Sequence, residues 1–205
     1  MVVVEKISVR RLGRVAYEPT VQAMREFTAR RGENTADELW LLEHPPVYTL
    51  GLAADPAHGP KIDNGIPVVQ VERGGEITHH GPGQAVLYTL VDLARRGIKV
   101  KRFVWMLEQS VIELLGGRAA RRPGAPGVYV EGAKVAALGI RVSRGCTFHG
   151  VALNVDMDLA PFAAIDPCGL PGLPVTQTRA LGFEFSAESA GERLAAILID
   201  KLEHA

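Results

Sequence analysis

Three apolar segments sit so close together in the last third of the chain that only one kind of sheet can hold them. Val128-Tyr129-Val130, Lys134 to Val142 and Thr147 to Val155 read as strands. Glu131-Gly132 and Ser143-Arg144-Gly145 join them, and turns this short connect antiparallel neighbours. Upstream, Glu38 to Glu43 reads as a buried strand that the tandem prolines of His44-Pro45-Pro46 must end, and Val47 to Leu50 restarts a short one. Val68 to Glu72 and Ala85 to Val91 are two more strands, with a polar loop over Asp55 to Gly65 before them. Helical spacing marks Tyr17, Val21, Met24 and Phe27 in one amphipathic helix and Phe103, Val104, Leu107, Val111 and Leu114 in a second. Ser189-x-x-Glu192 has the form of a capping box ahead of a C-terminal helix, and Asp158 to Thr178 is Pro-rich and irregular. Helices set before, between and after turn-linked strands predict an α+β fold: a mixed or antiparallel sheet flanked by helices, in one domain over residues 1–205.

Composition narrows the function classes. With 47% hydrophobic side chains the chain can bury a core, and 23 basic residues against 23 acidic ones leave no global field for nucleic acid or an anionic membrane. No segment approaches the roughly 20 apolar residues that span a bilayer. The Met1-Val2-Val3-Val4 start lacks a signal peptide's h-region, so a cytoplasmic location with free thiols is expected. Only Cys146 and Cys168 are present, too few for a disulfide framework.

Four features carry candidate chemistry. Arg73 to Gln84 holds four glycines in ten positions (74 to 83) beside Arg73, His79 and His80. Such a backbone can approach a ligand closely, or it can simply make a tight hairpin loop. Lys134 heads the strand Val135 to Ile140, apolar on both faces. A lysine there is either desolvated and partnered by an anion, or snorkels to water from the strand end. Cys168 lies between Pro167 and Gly169 in an irregular loop, the setting of a presented thiol, whereas Cys146 beside a turn reads as structural. Period-two alternation puts Val135, Ala137 and Gly139 on one face of their strand and Phe148, Gly150, Ala152 and Asn154 on one face of the next. Small residues side by side leave either an apolar groove or room for close packing of another layer. A zinc site from His79, His80, His149 and Cys168 is disfavoured, because adjacent histidines of an extended segment point to opposite faces.

Taken in order, Leu42 to Gly51, Arg73-Gly74-Gly75 through His80-Gly81-Pro82-Gly83-Gln84, Gly127 to Val130, Lys134 to Val142, His149 to Asn154 and Pro167-Cys168-Gly169 resemble the lipoyl(octanoyl) transferase family over roughly residues 10 to 200. The resemblance implies a fold similar to the catalytic domain of lipoate and biotin protein ligases. It implies transfer of an octanoyl group from octanoyl-acyl carrier protein to a lysine on lipoyl domains of 2-oxoacid dehydrogenase E2 subunits and the glycine cleavage H protein. In that reading Cys168 is the acyl-accepting nucleophile and Lys134 lowers its pKa and shuttles protons. Arg73, Gly74, Gly75, Glu76, Ile77, Thr78, His79 and His80, then Ala137, Leu138 and Gly139, then Gly150, Val151 and Ala152 line the substrate site. No ATP or metal is expected, because the donor's phosphopantetheine thioester carries the energy. His79 departs from the family's frequent Tyr or Trp, Ala137 from Ser and Val151 from Leu. An ATP-dependent lipoate or biotin ligase, a non-catalytic acyl-binding module and an amidotransferase between lipoyl domains are the competing readings. Because acyl carrier proteins are acidic, Arg95-Arg96 with Lys99, Lys101 and Arg102, or Arg118 with Arg121-Arg122, is an expected docking patch, each also readable as a solvated helix end.

Overall fold

A computed structural model describes residues 7–54 and 59–205. The opening Val2 to Glu5 run and residues 55–58 of the polar loop lie outside the described residues. In chain order the elements are β1 (Ser8–Arg14), α1 (Tyr17–Arg30), β2 (Glu38–Glu43), β3 (Val47–Leu50), β4 (Val68–Gln70), β5 (Ile77–His80) and β6 (Gln84–Leu90). There follow α2 (Val100–Leu114), β7 (Ala120–Arg121), β8 (Val128–Val130), β9 (Ala133–Ser143), β10 (Cys146–Asn154) and α3 (Ala187–Glu203). Seven strands form one sheet in the order β1-β2-β6-β10-β9-β8-β7, and β4-β3-β5 form a second. Within these, β1–β2 and β3–β4 are parallel and the other pairs antiparallel, so the sheet is mixed as the sequence predicts.

Alternation along the central strands decides which helix covers which face. Leu39 and Leu41 of β2, Leu87 of β6, and Val151 and Leu153 of β10 face α2 and α3, packing on Phe103, Leu107, Val111, Leu194 and Leu198. The intervening Trp40, Leu42, Val86, Tyr88 and Ala152 face α1, against Tyr17, Val21 and Met24. All seven residues of β6 and all nine of β10 are buried, since both faces are covered.

Two expectations about this framework are corrected. The run from Arg73 to Gln84 is not one hairpin loop: Ile77 to His80 is strand β5, paired antiparallel with β3 and fully buried. The capping box of α3 sits one turn earlier than expected, with Ser186 as N-cap. The Ser186 hydroxyl accepts from the Ser189 N–H and the Ser189 hydroxyl from the Ser186 N–H, both at 3.0 Å.

Candidate active site

The floor of the site is written in the strand register. Ala137 of β9 stands opposite Ala152 of β10, which stands opposite Val86 of β6; one row on, Gly139 faces Gly150 and Gly150 faces Tyr88. Two rows of minimal side chains therefore lie side by side on the face toward α1. Close approach requires the glycines. A Cβ on Gly150 would lie 2.1 Å from the Leu87 carbonyl oxygen, and one on Gly139 would lie 2.7 Å from that of Gly74. β8 pairs with β9 only as far as Ala136, so the outer half of β9 is an edge. The Arg73-Gly74-Gly75 segment crosses that edge, its Gly74 N–H donating to the Ile140 carbonyl at 3.0 Å.

Arg73 fixes this crossing. The residue is 7% exposed, and its guanidinium donates to the Thr49 carbonyl and hydroxyl at 2.7 Å each and to the Gly74 carbonyl at 2.9 Å. The Gly74 N–H is likewise committed, to the Ile140 carbonyl.

These elements enclose a cavity of about 380 Å³, within the range of small-ligand sites. Arg73 through Thr78, His80, Lys134, Ala137, Leu138, Gly139, Gly150 and Ala152 all line it. Among the described side chains, two of the sequence-nominated residues do not. Val151 points to the opposite face of β10, into the core beneath α2 and α3. His79 turns away from His80, with its ring 5.3 Å from Tyr48 and 5.4 Å from Phe162, because β5 is extended and alternates. Among the described residues no group of three or more His, Cys, Asp or Glu is placed to hold a metal ion.

Lys134 is 6% exposed and does not snorkel. Its Nζ donates to the Pro126 carbonyl at 3.1 Å and lies 5.8 Å from the centre of the Tyr129 ring. Gly127 leaves room for it: a Cβ there would fall 2.6 Å from Lys134 Cε. The Lys134 backbone also grips the chain that follows Cys168. Its N–H donates to the Pro174 carbonyl at 2.8 Å and its carbonyl accepts from the Thr176 N–H at 2.9 Å. Asn154 Nδ2 holds the Thr176 carbonyl at 3.0 Å. Pro167 to Gly169 forms one turn of 3-10 helix, and Pro167 lines the same cavity as Lys134. The side chain of Cys168 lies outside the described part of the structure. Cys146 is a free buried thiol whose pKa burial pushes up, in keeping with a structural role.

Hydrogen bonds fix the tautomers of two buried imidazoles. His44 Nδ1 faces the Val15 carbonyl at 2.7 Å and must donate, so Nε2 accepts from the Tyr88 hydroxyl at 2.8 Å. Gln84 Nε2 donates to Asn154 Oδ1 and the His79 carbonyl, so its Oε1 accepts from His80 Nδ1 at 2.8 Å. His80 Nε2 therefore carries a lone pair, not a proton, on a ring that lines the cavity. Burial keeps the rings neutral: the His44 pKa is pushed down to about 4 and that of His80 well below its usual value. Burial also raises the Tyr88 phenol well above its usual value.

Sequence reasoning missed Tyr17, Tyr88 and His149 as lining residues. Tyr88 was recoverable, since alternation in β6 puts it on the same face as Val86. His149 was not. Its backbone lies in the left-handed region at φ 61°, and no strand pattern signals that for a residue other than glycine.

Residues 17–199 match the family model described as the lipoyl protein ligase A/B catalytic domain. An octanoyltransferase of Thiobacillus denitrificans is 61% identical over 189 residues, covering 91% of this chain and 86% of that protein. Among solved structures, lipoate-protein ligase A bound with ATP superposes with a TM-score of 0.72 at 13% identity, over 98% of this chain and 92% of that one. A bi-partite lipoate protein ligase from Thermoplasma acidophilum, studied with its E2 lipoyl domain, gives 0.71 at 14% identity over 97% and 91%. The structural likenesses establish the shared fold, and the closer sequence relative establishes the branch. The chain belongs to the lipoyl protein ligase A/B catalytic-domain family and, within it, to the octanoyltransferases, a family of acyltransferases.

Proposed function

We propose that this chain moves an octanoyl group from the phosphopantetheine thioester of an acyl carrier protein to a lysine of a lipoyl domain, on E2 subunits and on the glycine cleavage H protein. One observation carries the reading: a buried lysine and the segment bearing Cys168 border one cavity, and small apolar residues floor it. The Cys168 thiolate attacks the donor carbonyl, the carbon–sulfur bond to pantetheine breaks, and the Lys134 ammonium gives its proton to the departing thiol. Lys134, now neutral, takes a proton from the acceptor lysine as its amine attacks the acyl-enzyme. The new amide forms and the Cys168 sulfur leaves as a thiolate, again paired with ammonium. The first step trades one thioester for another and the second runs downhill to an amide, so the chemistry needs neither nucleotide nor metal.

Octanoyl carrier protein incubated with the enzyme, without nucleotide, tests this. Intact mass should rise by one octanoyl group, digestion should place it on Cys168, and added lipoyl domain should take it onto one lysine. Cys168→Ser should abolish the turnover. A nucleotide requirement would favour the ligase reading, and an adduct on another residue would overturn the assignment of the nucleophile.

A further inference from the structure

His149 is 1% exposed, yet neither ring nitrogen has a hydrogen-bond partner among the described residues. Buried imidazoles rarely go unsatisfied on both sides, and a left-handed backbone is costly for a residue with a Cβ. The unusual backbone has a steric consequence. Phe148 packs on the α1 face, and strict alternation would send the next side chain to the other face. At φ 61° the His149 ring instead stacks 5.1 Å from Phe148 and meets Tyr88 edge-on at 5.8 Å, where it lines the cavity. Burial holds its pKa down to about 3, so the ring is neutral, with one donor and one acceptor.

The register shows where in the cavity this ring stands. Gly127, whose Cβ would touch both Lys134 Cε and the Ala136 carbonyl, puts the end of the lysine side chain level with Ala136. His149 stands opposite Ile140, four residues further along β9, or roughly 13 Å at about 3.3 Å per residue. The two small-residue rows, Ala137–Ala152 and Gly139–Gly150, lie between them. An extended octanoyl chain has seven carbon–carbon bonds of about 1.5 Å each and, as a zigzag, reaches roughly 9 Å. With its carbonyl at the lysine end, it runs along the Ala152–Gly150 side of both rows, since the Gly74 carbonyl covers Gly139, and brings its terminal methyl against the imidazole.

We infer that His149 is the end wall of the acyl slot and sets the chain length accepted. This rests on the acyl-transfer reading above. Further methylenes can enter only by pressing on the imidazole, whose donor and acceptor the protein itself leaves unpaired. Phe148 and Tyr88 hold the ring in place, and overpacking a site filled in this way lowers affinity by roughly tenfold or more.

The test reads binding as well as transfer. Saturated free fatty acids of six to fourteen carbons are titrated against the wild-type chain, His149→Gly and His149→Asn, and the same enzymes are assayed with octanoyl- to dodecanoyl-pantetheine. Glycine suits the left-handed backbone and opens the end; asparagine also tolerates it and keeps a shorter donor and acceptor. Wild type should prefer eight carbons over twelve by about tenfold or more. His149→Gly should erase or reverse that preference, with His149→Asn between. A folded His149→Gly or His149→Asn chain that keeps the wild-type length profile overturns the inference, as does a wild type that binds twelve carbons as tightly as eight. If His149→Gly fails to fold, the His149→Asn profile alone decides. Failure of acyl transfer with the binding preference intact would count against the proposed function and leave the end wall standing.

Discussion

Asp37 offers a perturbation whose cost can be worked from the structure. Its carboxylate is fully buried and gathers three guanidiniums. Oδ1 accepts from Arg31, from Arg95 at 3.0 Å and from the Asp92 N–H at 2.9 Å, and Oδ2 accepts from Arg96 at 2.6 Å. The side chains of these arginines are 4%, 26% and 13% exposed respectively, so water repays little of what they would lose. Asp37→Asn keeps the shape but removes the charge and turns an amide donor toward at least one guanidinium. Removing one partner from a buried ionic cluster costs about 3–5 kcal/mol. At roughly 2–4 °C per kcal/mol for a domain of this size, the melting temperature should fall by about 6–20 °C. Urea titration at neutral pH, followed by both fluorescence and circular dichroism, measures the free energy directly. A loss below about 1 kcal/mol would refute the view that these arginines are held by Asp37 and would return Arg95 and Arg96 to the pool of docking residues.

Other outcomes follow from the same geometry. Gly127→Ala should displace the Lys134 side chain it would strike and lower the transfer rate by about a hundredfold, with the acyl donor still bound; unchanged turnover would mean Lys134 needs no such placement. Stability should be full above about pH 6.5, where unfolded histidines are neutral, and fall as acid protonates them only in the unfolded chain. His44, held down to about 4, and His149, held down to about 3, should each contribute a loss of up to about 2 kcal/mol by pH 5; equal urea midpoints at pH 7.5 and 5 would refute this. Lys101→Glu with Arg102→Glu should raise the carrier protein's KM severalfold and weaken its salt dependence. Both residues are exposed at the start of α2, whose Val104 and Leu107 line the cavity. Unchanged kinetics would move docking to the Arg118 side.

The parts of this fold legible in sequence are those whose pattern is local. The helix beginning at Tyr17, the buried strand ending at His44-Pro45 and the turn-linked strands from Val128 onward all carry their own periodicity. The small-residue face of β9 and β10 was legible for the same reason. β1 was not recognised, because it is an edge strand rich in arginine. Arg10 and Arg14 pair with Glu38 and Glu43 of β2, and Arg11 pairs with Glu192 of α3, contacts that exist only after folding. Arg95-Arg96 read as a surface patch for the same reason: the carboxylate that claims them lies far back in the chain at Asp37. Within the site, Lys134 could be singled out, but whether it was buried or solvated depended on Pro126, Gly127 and the returning Pro174–Thr176 segment.

The two glycine–alanine rows beneath the cavity also limit how the site can diversify. Glycine admits nothing smaller and alanine can give up only a single methyl, so almost every change at Ala152 or Gly150 narrows the channel or pushes its roof away. A descendant with a taste for bulkier or longer acyl groups must therefore alter the sides and the far end, while the pavement stays as it is.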